Sequence, residues 1–254
     1  MRREVPLIEG YIYHTFNRGI EKREIFLEDS FYTQFTDVVG HTLKYNYPYS
    51  TLRKRLKEAP SPQAKQAVLR DLEMRRIEPP VQIISFALMP NHFHFTLRQL
   101  TKDGVTQFMN RISLSYTKYF NTRLERVGGL FQSRFKAVAV KSEEQLIHLT
   151  RYHHLNSRGL GLKTSEELTN YPWSSLSSYM GKSQFGFVEP EIVLSHFANR
   201  EEYLKFVLAE IDDLEPLRLE AVAIDDDLGW FAEFTALEKE RKELLRQRYM
   251  GITI

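Results

Sequence analysis

The sequence predicts an α+β fold in which helices pack on one face of an antiparallel sheet. Short runs rich in β-branched and aromatic residues alternate along the chain with longer segments of helical periodicity. Two of these runs are separated only by a two-residue turn signal, which is typical of an antiparallel hairpin. The resulting order is strand, helix, hairpin, helix, strand, helix, and this order favours an α+β sandwich.

Two regular elements and an insertion are predicted before residue 81. Residues 11–16 are β-branched and aromatic and predict a strand, which is followed by a turn at Gly19. Residues 29–45 carry apolar side chains at helical spacing and predict a helix. Residues 48–80 form a polar and very basic helical insertion, which Pro60-Ser61-Pro62 divides into two short helices.

The hairpin and a long helix follow the insertion. Residues 81–89 are almost continuously apolar and predict a buried strand. Pro90-Asn91 is a turn signal, and residues 92–97 continue as the second strand of the hairpin. Residues 104–122 place apolar side chains near one face at helical period, so they predict a helix.

A fourth strand and a third long helix complete the predicted core. Residues 135–140 predict the strand. Ser142, followed three residues later by Gln145, is a typical helix start because a capping Ser and a Gln at that spacing bond to backbone amides. We expect this helix to run to about Ser157, where Arg158-Gly159 ends it.

The charges divide the chain into two parts. Residues 1–160 hold 25 basic and 15 acidic side chains, a balance of +10, and residues 161–254 hold 10 and 18, a balance of −8; together they give +2. A basic surplus of this size favours a nucleic-acid partner. We therefore predict a basic domain over residues 1–180 and an acidic, mostly helical extension over 181–254. The helices predicted in the extension cover about 189–212 and 228–248.

Composition excludes several other classes of protein. The 254 residues contain no cysteine, which excludes a disulfide framework and a thiolate metal site. With 42% hydrophobic and 27% charged residues, the chain resembles neither a disordered protein nor a membrane bundle. The first residues lack the apolar core of a signal peptide, so we expect a cytoplasmic protein with no membrane partner.

His92-Phe93-His94 is the most informative local feature. Residues two apart on a strand project from the same face, so the two imidazoles would lie side by side as a pair of ligands for a divalent metal. Two unrelated polar positions on an exposed face are the alternative. The tripeptide alone does not decide between these two interpretations.

Tyr152 and Asn156 form the second feature, because they are four residues apart on the last predicted helix. Taken alone, such a pair is more often an aromatic packed near a helix end and a capping Asn. A phenol is a usable nucleophile where a metal or base helps it ionise, and an amide oxygen suits Mg²⁺ or Mn²⁺. Together with His92 and His94, Asn156 would hold the metal. Tyr152 would then attack a phosphodiester and form a phosphotyrosine bond.

Other aromatic and imidazole side chains on these helices receive simpler predictions. Tyr116 and Tyr119 are rival nucleophiles, but neither is followed one turn later by a side chain suited to a metal. Tyr116 also falls on the apolar face of its helix, which favours core packing. His153 and His154 lie on other faces of the last helix, and we expect them at the surface or near its carboxyl end.

Five short segments occur in an order that resembles a known family. The chain is similar to the single-tyrosine HUH endonucleases, where HUH means His-hydrophobic-His. More narrowly, it resembles the insertion-sequence transposases and their branch of REP-associated tyrosine transposases. The segments that carry the resemblance are residues 13–19, 89–94, 129–135, 152–156 and 171–175.

The resemblance implies a ferredoxin-like antiparallel sheet, the HUH endonuclease fold, with the His pair on a central strand. It implies a DNA strand transferase dependent on Mg²⁺ or Mn²⁺, which cleaves and rejoins single-stranded DNA near hairpins through a 5′-phosphotyrosine intermediate. The His pair corresponds to His92 and His94, the nucleophile to Tyr152, and the third metal ligand to Asn156. Many REP-associated relatives have Asn-Pro where this chain has Asn156-Ser157. Two alternatives remain open: a domesticated REP-hairpin-binding protein with little or no cleavage activity, and an unrelated hydrolase with a His-bound metal.

Basic side chains would hold single-stranded or hairpin DNA by its phosphates. The run at residues 53–55 is the densest; such runs usually form a solvated helix face, but the surrounding surplus favours contact with DNA. We expect association with the nucleoid, and the sequence leaves monomer and homodimer open. The acidic extension is either an autoinhibitory element or an oligomerisation appendage. The predicted DNA-binding residues are Arg18, Arg53, Lys54, Arg55, Arg134 and Lys136.

Overall fold

A four-stranded antiparallel sheet forms the centre of the computed structural model, which describes residues 7–182 and 185–209. The strands are β1 (Ile12–Arg18), β2 (Val81–Met89), β3 (His92–Gln99) and β4 (Lys136–Ala139). They lie in the order β2-β3-β1-β4, and each neighbouring pair is antiparallel. With one helical crossover between β1 and β2 and another between β3 and β4, this is the predicted ferredoxin-like arrangement.

The helices agree closely with the pattern of the sequence. Within the core they are α1 (Asp29–Lys44), α2 (Tyr49–Glu58), α3 (Pro62–Glu73), α4 (Gly104–Arg123) and α5 (Glu143–Leu155). After the core come α6 (Ser165–Asn170), α7 (Leu176–Tyr179), α8 (Glu191–Leu194) and α9 (Arg200–Leu208). The single helix predicted over 189–212 is thus two shorter helices, α8 and α9. The helix predicted over 228–248 lies outside the described residues.

Two helix starts show why the helices begin where they do. Ser142 Oγ accepts a hydrogen bond from the backbone amide of Gln145 at 3.1 Å, as the spacing of these residues predicts. Ser61 Oγ accepts one from the amide of Ala64, and Pro62 occupies the first position of α3, where its missing amide hydrogen costs nothing. The Pro-Ser-Pro break therefore both ends α2 and starts α3.

The helices lie on both faces of the sheet, so the prediction of helices on one face is wrong. Phe93 and Phe95 of β3 face α1 and α4; the ring centroid of Phe93 lies 5.0 Å from that of Phe35 on α1. His94 faces the opposite way and packs against Tyr152 of α5. Connections between parallel strands of one sheet are right-handed as a rule, so α1 and α4, which lie in the two such connections, are expected on the same side. Helix α5 follows the last strand of the sheet and connects no two strands, so this rule does not apply to it.

The register of the sheet brings the end of β1 to the beginning of β3. Arg18 lies opposite His92, and Phe16 lies opposite His94. Gly19 follows directly, and its amide donates to the carbonyl oxygen of Asn91 at 2.9 Å. A Cβ atom on Gly19 would lie 2.3 Å from the carbonyl oxygen of Arg23, so the close approach of this later segment requires glycine.

The segment at residues 171–175, which contributes to the family resemblance, closes the outer edge of β2. The amide of Leu88 donates to the carbonyl of Trp173 at 2.8 Å, and the amide of Ser175 donates to the carbonyl of Phe86 at 3.0 Å. The Tyr171 hydroxyl donates to the carbonyl of Leu88 at 2.7 Å. These bonds satisfy backbone groups that an open sheet edge would leave exposed.

The described part of the predicted extension packs into the same core. Val193, Tyr203 and Val207 are fully buried and belong to the cluster that includes the sheet residues. The amide of Glu189 donates to the carbonyl of Ile83 on β2 at 2.9 Å. No helix within residues 7–182 and 185–209 is long and apolar enough to cross a membrane.

We predict that Phe35→Ala lowers the free energy of unfolding by about 3–5 kcal/mol, because it leaves a cavity between α1, α4 and β3. Phe35 is fully buried and contacts Phe93, Phe95 and Tyr116. Urea unfolding measures the change. Leu114→Ala on α4 is the control, because Leu114 is 72% exposed and should change the value by less than about 0.5 kcal/mol. Equal losses in both variants would contradict this assignment of the core.

Candidate active site

The two histidines of the HUH tripeptide lie side by side on β3. Their ring centroids are 5.0 Å apart and the ring planes are perpendicular. His94 is fully buried, and His92 is 7% exposed. Both project from the face of the sheet that α5 covers, because residues two apart on a strand share a face.

Tyr152 and Asn156 reach the same place from the end of α5. Tyr152 is fully buried, and its ring centroid lies 5.7 Å from that of His94. Asn156 keeps helical backbone angles although α5 ends at Leu155, so its side chain follows Tyr152 by one turn. Asn156 lies close enough to both the Tyr152 hydroxyl and the His92 imidazole to shift the pKa of each, lowering that of Tyr152 and raising that of His92. The four side chains that the sequence singled out are therefore brought together.

An open cleft of about 440 Å³ lies beside this cluster. His92 and Asn156 form part of its wall, and two cationic side chains, Arg18 and Lys22, line it together with one carboxylate, Glu24. Tyr152 and His94 are fully buried next to these wall residues. The cleft thus gives a ligand from solvent access to His92 and Asn156.

Burial sets the protonation state of the cluster. It lowers the pKa of His92 to about 3 and that of His94 well below its usual range, and the nearby Arg18 guanidinium acts in the same direction. Both imidazoles are therefore neutral at physiological pH, which is the form that binds a metal. Burial also raises the pKa of Tyr152 to about 12, while Asn156 and Arg18 oppose this rise. The phenol is therefore protonated unless a further cation helps it ionise.

Both histidines are oriented through their Nδ1 atoms. Asn91 Oδ1 lies 2.5 Å from His92 Nδ1, and His14 Nε2 lies 2.9 Å from His94 Nδ1. Partners at Nδ1 fix the ring and present Nε2 as a ligand atom. No role was predicted for His14, although it belongs to one of the segments that carry the family resemblance. The period of β1 places it on the same face as Phe16 and Arg18, but its partner depends on the strand register.

His14, His94 and His153 form a second cluster of imidazoles, whose possible ligand atoms lie within 4.8 Å of one another. All three residues are fully buried, and His153 Nδ1 lies 2.9 Å from Ser85 Oγ. Such a closed group of three imidazoles suits a structural ion such as Zn²⁺ better than a catalytic ion that must reach a substrate. His94 is the member shared with the pair at the cleft.

His153 and His154 lie in the last turn of α5, as one of the two predicted positions has it, but both are buried, so the alternative of a surface position is wrong. Helix α5 is enclosed because the sheet covers one side and residues after 170 cover the other. His154 Nε2 lies 2.8 Å from Ser175 Oγ, and His154 Nδ1 lies 2.7 Å from the hydroxyl of Tyr203 on α9. Arg151 also joins α5 to α9, since its guanidinium donates to the carbonyl of Val207 at 3.3 Å.

The predicted DNA-binding residues are divided between two surfaces. Arg18 lines the cleft, and Lys136 on β4 places its ammonium 5.7 Å from the ring centroid of Phe16 on the same face of the sheet. Arg134 is exposed just before β4. Residues 53–55 lie on α2, which packs with α1 and α4 on the opposite face. Arg55 is paired with Asp71 of α3, so it stabilises the two-helix insertion.

Residues 52–155 match the family model described as "Transposase IS200 like". This segment, about two fifths of the chain, is similar to the IS200-like transposases. The matched segment contains His92, His94 and Tyr152, and it ends one residue before Asn156. A solved structure described as "Structure of the REP associates tyrosine transposase bound to a REP hairpin" is also similar, with 14% identity and a TM-score of 0.43. That similarity covers 74% of this chain and 90% of the solved chain. No curated protein matches the chain.

We predict that Tyr203→Phe lowers the free energy of unfolding by about 1–3 kcal/mol, because it leaves Nδ1 of the buried His154 without this hydroxyl. Thermal or urea unfolding measures the loss. Tyr11→Phe is a matched control, since Tyr11 is 54% exposed and the same atom is removed. A Tyr203→Phe protein as stable as the control would show that the contact between α9 and α5 contributes little.

Proposed function

We propose that the chain is a metal-dependent transposase that cleaves and rejoins single-stranded DNA near hairpins through a 5′-phosphotyrosine on Tyr152. The convergence of Tyr152 and Asn156 with the two HUH histidines, beside an open cleft that Arg18 also lines, carries this proposal. The preference for hairpins and the place in the REP-associated branch are proposed from the family resemblance of the motifs. All four side chains are present in this chain. Their presence favours an active enzyme over a hairpin-binding protein that no longer cleaves DNA.

His92, His94 and Asn156 would hold a divalent ion, Mg²⁺ or Mn²⁺. Two neutral imidazoles with engaged Nδ1 atoms and one amide oxygen form a suitable donor set for such an ion. When bound, the ion polarises a phosphodiester and favours ionisation of a neighbouring hydroxyl.

The side chains of this protein would act on the DNA as follows. Arg18 would bind and orient the phosphate in the cleft. The Tyr152 oxygen would attack phosphorus and lose its proton, while the bond from phosphorus to the 3′ oxygen breaks and that oxygen takes up a proton. The products are a 5′-phosphotyrosine and a free 3′-hydroxyl. Attack by a 3′-hydroxyl on the phosphotyrosine reverses the reaction and rejoins DNA without another energy source.

Arg134 and Lys136 would extend the phosphate-binding surface from Arg18 along β4. We propose that residues 1–180 form the catalytic domain and that residues 181–254 form an extension to it. The described part of that extension holds α5 through Tyr203 and Val207. Association with the nucleoid is consistent with this function and stays a prediction. Assembly as a homodimer stays a prediction as well.

We predict that Tyr152→Phe abolishes covalent protein–DNA adducts and leaves hairpin binding within about twofold, because only the attacking oxygen is removed. Single-stranded DNA from the flanks of the gene is incubated with Mn²⁺, and adducts are resolved by denaturing electrophoresis. Tyr116→Phe is the control, since this buried hydroxyl donates to the carbonyl of Ile25 on the other face of the sheet. Adducts of the Tyr152→Phe protein that map to Tyr116 or Tyr119 would overturn the assignment.

We predict that His92→Ala weakens Mn²⁺ binding at least about tenfold, whereas His153→Ala changes it much less. The two variants separate the cluster at the cleft from the buried cluster, because each ring belongs to only one of them and His94 belongs to both. Titration calorimetry without DNA measures the affinity, and circular dichroism checks that both variants are folded. The reverse order of effects would place the ion among His14, His94 and His153.

A further inference from the structure

A second cavity lies on the face of the sheet opposite the HUH histidines. It has a volume of about 570 Å³ and lies between α1, the beginning of α2 and the second half of α4. Helices α1 and α4 pack on Phe93 and Phe95, whereas His92 and His94 project to the other side. The cavity is therefore separate from the cleft beside Asn156.

The described wall of this cavity is positively charged. Among residues 7–182 and 185–209, four cationic side chains line it, Arg53 and Lys54 from α2 and Lys118 and Arg123 from α4, and no acidic side chain does. All four are exposed. Arg53 donates to Gln34 of α1, which directs the guanidinium across the cavity wall. Lys54 lies 3.8 Å from Glu58, but both side chains are more than half exposed, so this pair neutralises little.

Two tyrosines supply the apolar walls. Tyr49 and Tyr119 are half-buried and both line the cavity. The hydroxyl of Tyr49 donates to Asp37 at 3.0 Å, and the ring of Tyr119 packs edge-on against Phe31 at 5.6 Å. Both rings are thus held in place while part of each side chain remains accessible. Aromatic rings between cations are the arrangement with which proteins bind unpaired nucleotides, by stacking bases and pairing phosphates.

We propose that this cavity, lined by Tyr49, Tyr119 and the four cations, is a second binding site for single-stranded DNA. Its occupant is one or a few unpaired nucleotides, with a base on the tyrosines and phosphates on the cations. This proposal rests on the proposed function, because the cavity would bind the same class of substrate, single-stranded DNA. Because the site and the cleft lie on opposite faces, a strand bound at both must pass around an edge of the sheet. The site therefore contributes to holding DNA and does not touch the reacting phosphate.

The contribution of the cationic side chains to DNA binding is tested with the double variant Lys118→Gln/Arg123→Gln. The matched control is Lys65→Gln/Arg70→Gln, which removes the same charge from exposed positions of α3 outside the cavity. Fluorescence anisotropy with a short labelled oligodeoxythymidylate measures affinity over a series of salt concentrations. We expect about tenfold weaker binding at low salt for the first variant, and a salt slope smaller by about 1.4, since each lost phosphate contact on a single strand contributes about 0.7. Equal losses in both variants would show a general effect of net charge and overturn the proposal.

Stacking of a base on the tyrosines is tested in two ways, by substitution of Tyr119 and by cross-linking. Tyr119→Leu removes the ring and should weaken binding about tenfold, while Tyr119→Phe should restore it. An oligonucleotide that carries 5-iododeoxyuridine should cross-link to Tyr49 or Tyr119 in the unaltered protein. Cross-links confined to the cleft around Arg18 would overturn the proposal. Adduct formation by the unaltered protein is measured separately, so failure of the catalytic proposal and failure of the second site give different results.

Discussion

The alternation of side chains along β3 is the constraint on which the rest of the structure depends. Phe93 and Phe95 project into the apolar core under α1 and α4, and His92 and His94 project to the other face. A shift of one residue in register would exchange the two sets and place imidazoles in the apolar core. The two-residue turn after Met89 and the pairing with β1 on the other side hold this register.

A buried polar face must be covered by groups that satisfy it, because an unpaired buried donor or acceptor costs about 1–3 kcal/mol. Helix α5 covers the face and brings more polar side chains with it, including His153 and His154. Ser85 on β2 meets the first of these, and Ser175 and Tyr203 meet the second from outside α5. Helix α5 therefore depends on residues 171–175 at the sheet edge and on α9 for its position. Through α5, the position of Tyr152 against the HUH pair depends on them as well.

Local periodicity explains how much of this could be predicted from the sequence. The strands and long helices of the core repeat at 2 or 3.6 residues, so β3 and α4 could be placed within one or two residues. The spacing of His92 with His94 and of Tyr152 with Asn156 also placed each pair on one face. The contact of His14 with His94 could not be derived, because it needs the register of two strands about eighty residues apart in sequence. The burial of His153 and His154 was missed for a similar reason, since it depends on residues that cover α5 from later in the chain.

The burial of Tyr152 has a consequence for the chemistry proposed here. With a pKa of about 12, only about one molecule in 10⁵ carries the phenolate at neutral pH. A phosphate in the cleft adds negative charge and by itself would raise this pKa further. The Arg18 guanidinium opposes that effect, and a divalent ion at the HUH pair would oppose it more strongly because of its double charge. In the proposed function, the nucleophile therefore stays protonated when DNA is present without metal, and a divalent ion at the HUH pair, together with Arg18, is what favours its ionisation.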